Sequence, residues 1–170
     1  MNTIVDAGEY TYITDDTPSV YKFNNKTLEY DVHVSFEEMN RLFDPFSDPK
    51  YDPEKDSSSP NPNGATLAKD KDGVEKLFLT MSGDPKNIYK CDLEQTDQCE
   101  KVSVDFLYEL DNVQGIAYDG EESLYISDTK NITRYNIMTE ETESVFQGDE
   151  FSGSQGGFFF DGKAVWAPQY

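Results

Sequence analysis

Basic residues are scarce in this 170-residue chain: 14 Lys and Arg stand against 34 Asp and Glu, a formal net charge of −20 with a pI near 4.1. Such a surface repels nucleic acid and anionic lipid, so neither is an expected partner. It leaves cations, calcium above all, as the favoured ionic ligand. Histidine occurs once, at His33, which gives no support to a multi-histidine metal site or a triad. No apolar run approaches the roughly 18 residues of a membrane helix, so membrane insertion is not expected. The residues after Met1, NTIVDAGEY, lack the basic and apolar regions of a secretory signal. No G-x-S-x-G nucleophile motif and no phosphate-cradling glycine loop occur, and GSQGG near the end reads as a turn.

What the chain has in quantity is Tyr (11) and Phe (11), residues suited to half-buried pleated surfaces. They fall in phrases that recur. YTYIT (10–14), KLFLT (76–80) and SLYIS (123–127) each end on a hydroxyl, at Thr14, Thr80 and Ser127, and AVWAP (164–168) is a fourth, looser copy. VYKFN (20–24), IYKCD (88–92) and ITRYN (132–136) match position by position: branched apolar, any, Lys or Arg, Cys or aromatic, Asn or Asp. A polar turn and a third strand-like run follow each of them (LEYDVHV, CEKVSV, TESVF). One more strand precedes the first phrase: TIVDA, ATLAKD, GIAYD, GFFFD. Period-2 alternation sends Lys22, Lys90 and Arg134 away from the side that buries Phe23, Cys91 and Tyr135.

Four short strands per unit of about 40 to 50 residues predict an all-β chain built as a β-propeller of four-stranded antiparallel blades, with an incomplete ring. A generic β-sandwich is the alternative. The units fall as one propeller-type domain: blade 1 at 1–35, a helical turn and Pro/Asp/Ser-rich loop at 36–63, blade 2 at 64–112, blade 3 at 113–155, and half a blade at 156–170. FEEMNRLF (36–43) has helical spacing with Ser35 as its N-cap. The half blade leaves open edges, which imply self-association.

NVQGIAYDGEESLYISDTKNITRYN (112–136) resembles the blade signature of NHL-type propellers and of the gluconolactonase and strictosidine-synthase-like superfamily. In lactonase-like members the residue before the strand-opening Gly faces a central channel, where some such residues hold a divalent cation that polarises a substrate carbonyl. The resemblance therefore implies channel-facing or metal-binding roles for Asn63, Gln114 and Gln155; Asn63 fits that pattern, and the two Gln are longer amides. Asp128, at the end of LYISD, lies near the same mouth or caps its turn. DKDGVE (70–75) has the start of a calcium loop, but Met81 stands where an EF-hand needs Glu, so it reads as a hairpin turn.

Cys91 and Cys99 bracket one hairpin loop, a spacing that suits a disulfide with Cα atoms about 5 to 6 Å apart. Asn25 and Asn131 open N-glycosylation sequons in expected turns. Together these point to an extracytoplasmic, secreted location, or to the cytoplasm if the cysteines are reduced. The function expected is a scaffold binding a protein or small-molecule ligand. The alternatives are a calcium-dependent lactonase or hydrolase, and an extracellular adhesion or glycan-binding module that uses the Pro-rich loop.

Overall fold

A computed structural model describes residues 2–15, 17–36, 61–82, 88–102, 113–128, 130–147, 159–161 and 163–166. The chain is all-β, with every strand pairing antiparallel. Sheet 1 runs in chain order through β1 (Thr3–Ala7), β2 (Tyr10–Thr14), β3 (Ser19–Asn24) and β4 (Tyr30–Ser35). Sheet 2 repeats this with β5 (Asn61–Lys69), β6 (Glu75–Ser82), β7 (Ile88–Cys91) and β8 (Cys99–Val102). Sheet 3 holds β9 (Ile116–Tyr118), β10 (Ser123–Ser127), β11 (Asn131–Asn136) and β12 (Thr142–Gln147). A hairpin of β13 (Phe159–Phe160) and β14 (Val165–Trp166) follows, pairing Phe159 with Trp166. Of the helical turn expected at 36–43 only Phe36 is described; of the Pro-rich loop expected to run to 63, residues 61–63 open β5 and the rest lies outside the described residues.

The turns explain much of the recurring sequence. At the first turn of each unit an Asp side chain accepts backbone N–H groups: Asp6 from Gly8, Asp70 from Asp72 and Val74, Asp119 from Glu121, Glu122 and Ser123, Asp161 from Lys163 and Ala164. Gly73 and Gly120 then take φ of 76° and 85°, which suit glycine. The Asn or Asp closing each VYKFN-type phrase does the same for the next turn. Asn24 accepts from Lys26 and Thr27, Asp92 from Glu94 and Gln95, and Asn136 from Met138 and Thr139. These turns need a left-handed residue, and Leu28, Asp97 and Glu140 supply it at φ 63°, 57° and 61°.

The core lies between the sheets. Leu77, Leu79, Tyr89 and Cys91 of sheet 2 pack on Tyr12, Val20 and Val34 of sheet 1. The opposite face of sheet 2, with Ala68, Phe78 and Ile88, packs on Ile116, Leu124, Ile126 and Tyr135 of sheet 3. Alternation along β6 thus feeds two cores, which is why KLFLT reads as a continuous apolar run.

Two expectations are corrected. The propeller is not what the described residues form: three separate four-stranded sheets and a two-stranded hairpin are present, and none closes on another. The matching phrases arise from turn capping and sheet-to-sheet contact, requirements that any stack of such meanders imposes. Second, Phe23, expected in a core, is half-exposed, because it lies on the face of sheet 1 that no other described sheet covers.

Candidate functional site

Of the residues singled out in the sequence, Asn63 and Gln114 lie where the first strands of successive sheets run side by side, β5 against β1 and β9 against β5. The hydroxyl that ends each YTYIT-type phrase is fully buried there. Thr14 Oγ1 accepts the Thr3 N–H at 3.0 Å and donates to the Asn63 carbonyl of sheet 2 at 2.9 Å. Thr80 Oγ1 accepts the Gly64 N–H at 2.9 Å and donates to the Gln114 carbonyl of sheet 3 at 2.9 Å. Ser127 Oγ accepts the Gly115 N–H at 3.1 Å. Each hydroxyl is thus a pin, closing its own sheet and, at Thr14 and Thr80, reaching to the next. Gly64 is required at this approach, since a Cβ there would lie 2.6 Å from the Gln114 carbonyl oxygen and 2.9 Å from the Ile116 nitrogen.

Asn63 and Gln114 therefore meet the neighbouring sheet through backbone carbonyls, a role the residue types alone did not signal. Asn63 is half-buried, and Gln114 is 6% exposed. Gln114 Oε1 is a buried acceptor with no hydrogen-bond partner among the described residues. Gln155 lies outside them. Asp128 is fully buried and accepts from the Lys130 and Asn131 N–H groups and from Asn131 Nδ2, so its carboxylate holds a turn. Among the described residues no group of three or more His, Cys, Asp or Glu is placed to hold a metal ion. At the DKDGVE turn the Asp70 carboxylate caps backbone N–H groups and faces Lys90 at 3.8 Å.

Cys91 and Cys99 form a disulfide across adjacent strands. Their Cα atoms are 4.0 Å apart, closer than the expected 5 to 6 Å. They occupy the narrow pair beside the hydrogen-bonded Asp92–Gln98 pair. The loop they close is gripped by sheet 1. Tyr12 Oη and Lys22 Nζ both donate to the Leu93 carbonyl at 2.7 Å, and His33 Nε2 meets the Asp92 carbonyl at 2.7 Å. The Asp97 N–H donates to the His33 carbonyl at 3.0 Å, and Asp97 Oδ1 accepts the Ser35 N–H at 2.7 Å. Burial pushes the Tyr12 hydroxyl up to about 12, helped by Tyr10, Asp92 and Glu94, so it stays a donor. His33 is 2% exposed, and this desolvation lowers its pKa. Lys76 Nζ donates to Asp92 Oδ2 at 2.7 Å and, with the Glu94 and Gln95 N–H groups, holds that carboxyl at about 2.

Asn25 is exposed, with its amide bonded to Gly8 and Thr11, whereas the Asn131 amide is held by Asp128. No helix among the described residues is long and apolar enough to cross a membrane.

Among the described residues, the outward face of sheet 1 carries exposed apolar side chains that no other described sheet covers. Strand register aligns Ile4, Ile13, Tyr21 and Val32 in one row across all the strands, with Thr11, Phe23 and Tyr30 beside it. Ile4, Tyr30 and Val32 are 55%, 66% and 45% exposed. The equivalent row of sheet 2, Ala65, Leu79 and Tyr89, is buried under sheet 1. In sheet 3 the equivalent Ile116, Ile126 and Thr133 are buried too.

No family model and no curated protein matches the chain. Its fold is similar to part of a solved structure, the extracellular domain of a hybrid two component system from B. thetaiotaomicron, with a TM-score of 0.51 at 8% identity. The match covers 85% of this chain and 16% of that one, so the chain spans a small fraction of its structural neighbour. The resemblance to NHL-type and gluconolactonase or strictosidine-synthase-like propellers is thereby overturned: no family model supports it, and the sheets do not close. The roles it implied lose that basis.

Proposed function

We propose that the chain is an extracytoplasmic binding scaffold that recognises a protein partner through the outward face of sheet 1. The observation that carries this is the Ile4–Ile13–Tyr21–Val32 row, a near-uncharged apolar surface on a chain of net charge −20. Its one carboxylate among the named rows, Asp6, is engaged by the Gly8 N–H. Apolar patches of this kind on acidic proteins mark interaction sites. The Cys91–Cys99 disulfide and the extracellular-domain neighbour support the location. The adhesion reading rests on the Pro-rich loop, most of which lies outside the described residues.

A photo-crosslinking side chain at Tyr30 tests the reading, with the same probe at Met138, 50% exposed on a sheet 3 turn, as control. In the extracytoplasmic fraction of the source cells, Tyr30 should give a discrete protein adduct that excess unlabelled chain competes away. Equal or absent adducts at the two positions would overturn the proposal.

A further inference from the structure

The repeated lysine has a different neighbour in each joint. On β2 and β3 Tyr12 pairs with Lys22, and at the same register on β6 and β7 Phe78 pairs with Lys90. Between sheets 1 and 2 both groups close on one occupant, Leu93. Its carbonyl accepts from Tyr12 Oη and Lys22 Nζ at 2.7 Å each, and its side chain packs on the apolar core. Between sheets 2 and 3 the equivalent place has no such occupant. Phe78 carries no hydroxyl, and Lys90 Nζ turns to Glu100 Oε2 at 3.1 Å and Asp70 Oδ2 at 3.8 Å. The sheet 3 turn beside it runs only from Asn136 to Glu141, one residue shorter than the 92–98 loop. A cavity of about 210 Å³ lies there, with Phe78, Val102, Tyr135 and Ile137 as its apolar lining.

We infer that this cavity binds a small carboxylic acid with a branched apolar body, the counterpart of Leu93 in the first joint. The space is about seven times a water's share of the liquid, enough for such a body. Burying it against the apolar lining supplies the driving force. Lys71, Lys90 and Lys101 line the same cavity, three of the chain's 14 basic residues, so an anion is attracted here against the sign of the net charge. Two carboxylates also line it, and neither closes it to an anion. Asp70 is held by the Asp72 and Val74 N–H groups and by Lys90, and Glu140 sits on an exposed turn. The ligand carboxylate takes the place of Glu100 on Lys90. That exchange costs little, because the Glu100 side chain is 77% exposed and exposed ion pairs are weak. The site lies between sheets 2 and 3, so it goes beyond the sheet 1 reading and is independent of it.

Titration of the full chain with isocaproate, the acyl skeleton of leucine, tests this when followed by backbone amide chemical shifts. Isohexylamine, the same body with the opposite charge, is the comparison. Isocaproate should shift the amides of Lys90, Lys101, Tyr135 and Ile137 saturably, and isohexylamine should not. Glu100→Gln removes the competing charge and should tighten isocaproate about threefold. Lys90→Gln should weaken it at least tenfold. Glu100 is exposed, so the fold tolerates its change, and this variant decides the matter even where Lys90→Gln fails to fold. No saturable shift up to about 10 mM isocaproate, equal binding of isohexylamine, or an affinity unmoved or lowered by Glu100→Gln would overturn the inference. Shifts confined to β1–β4 would overturn it too, and would leave the sheet 1 reading intact.

Discussion

The two joints of this molecule solve one problem by different chemistry. Both use a buried threonine as a pin to the next sheet. Beyond the pin, the joint between sheets 1 and 2 adds a polar grip to its apolar core: Tyr12, Lys22 and His33 reach across to carbonyls of the disulfide-closed loop. The joint between sheets 2 and 3 is apolar, filled by Phe78, Ile88, Leu124, Ile126 and Ile137. Lys90, the repeat equivalent of Lys22, turns to Asp70 at 3.8 Å and Glu100 at 3.1 Å. Beside it a cavity of about 210 Å³ stays open, lined in part by Lys101, Tyr135 and Glu140. The first joint depends on geometry as well as packed volume, because each buried polar group must keep its partner. The second depends on packed volume.

The largest expected effect comes from breaking the second joint alone. Gly64→Ala drives a methyl group into the Gln114 carbonyl, the Thr80 hydroxyl and the Ile116 nitrogen, and should cost about 3 kcal/mol. Urea unfolding midpoints would show it, and a midpoint within error of wild type would mean that the sheets sit further apart.

The disulfide sharpens the other side. Closing a loop with a sequence separation of 8 is worth about 2.5 kcal/mol in the chain-entropy model. Cys91→Ser/Cys99→Ser should lose about that amount. Hydrogen exchange should quicken in β4 and the loop 92–98 first, with β10 and β11 little changed.

The pins separate the joints directly. The Asn63 carbonyl accepts hydroxyls from both Thr3 and Thr14, at 2.9 Å each, whereas Thr80 is the hydroxyl that serves the Gln114 carbonyl. Thr80→Val should therefore cost about 2 kcal/mol and Thr14→Val about 1 kcal/mol. Equal losses would remove the proposed redundancy.

Acid should loosen the polar joint before the apolar one. His33 has a lowered folded pKa, from burial first and Lys22 also, while Asp92 and Asp97 oppose the shift. Its unfolded form binds the proton more readily, so stability is fully present above about pH 6.5 and falls as pH drops from there. Asp92, held at about 2, keeps its contribution down to about pH 4 and loses it between there and pH 2. Solvent screening limits that second loss to about 1 kcal/mol. Amide protection in β3 and β4 measured from pH 7.5 to 5 should fall, and protection in β10 should not. The smallest change touches neither joint. Leu28 is 68% exposed with φ 63°, so Leu28→Asn should stabilise sheet 1 by about 0.5 kcal/mol.

The sequence makes the units legible because turns and pins need particular atoms. An Asn or Asp at 24, 92 and 136 and a hydroxyl at 14, 80 and 127 are local requirements, and they recur where the chemistry does. The disulfide was legible for the same reason. The destination of each face was not. Alternation places Lys90 opposite Cys91, and the structure agrees, but alternation does not say that the lysine side is a second joint. His33 also escaped, because the register shift between Val20 and Tyr21 turns it inward and no residue pattern marks that bulge. The family resemblance misled because short alternating phrases satisfy any stacked meander.

Each sheet pairs strands only with their sequence neighbours, through turns capped by their own side chains. Contact order within a sheet is therefore low, and the entropy of closing each hairpin is small. The pins and the grip on the 92–98 loop are the contacts that span long stretches of chain. Folding should consequently begin in individual meanders, with docking as the slow, rate-setting step. Substitutions at Thr14 and Thr80 would then report on the barrier, and the turn residues on what precedes it.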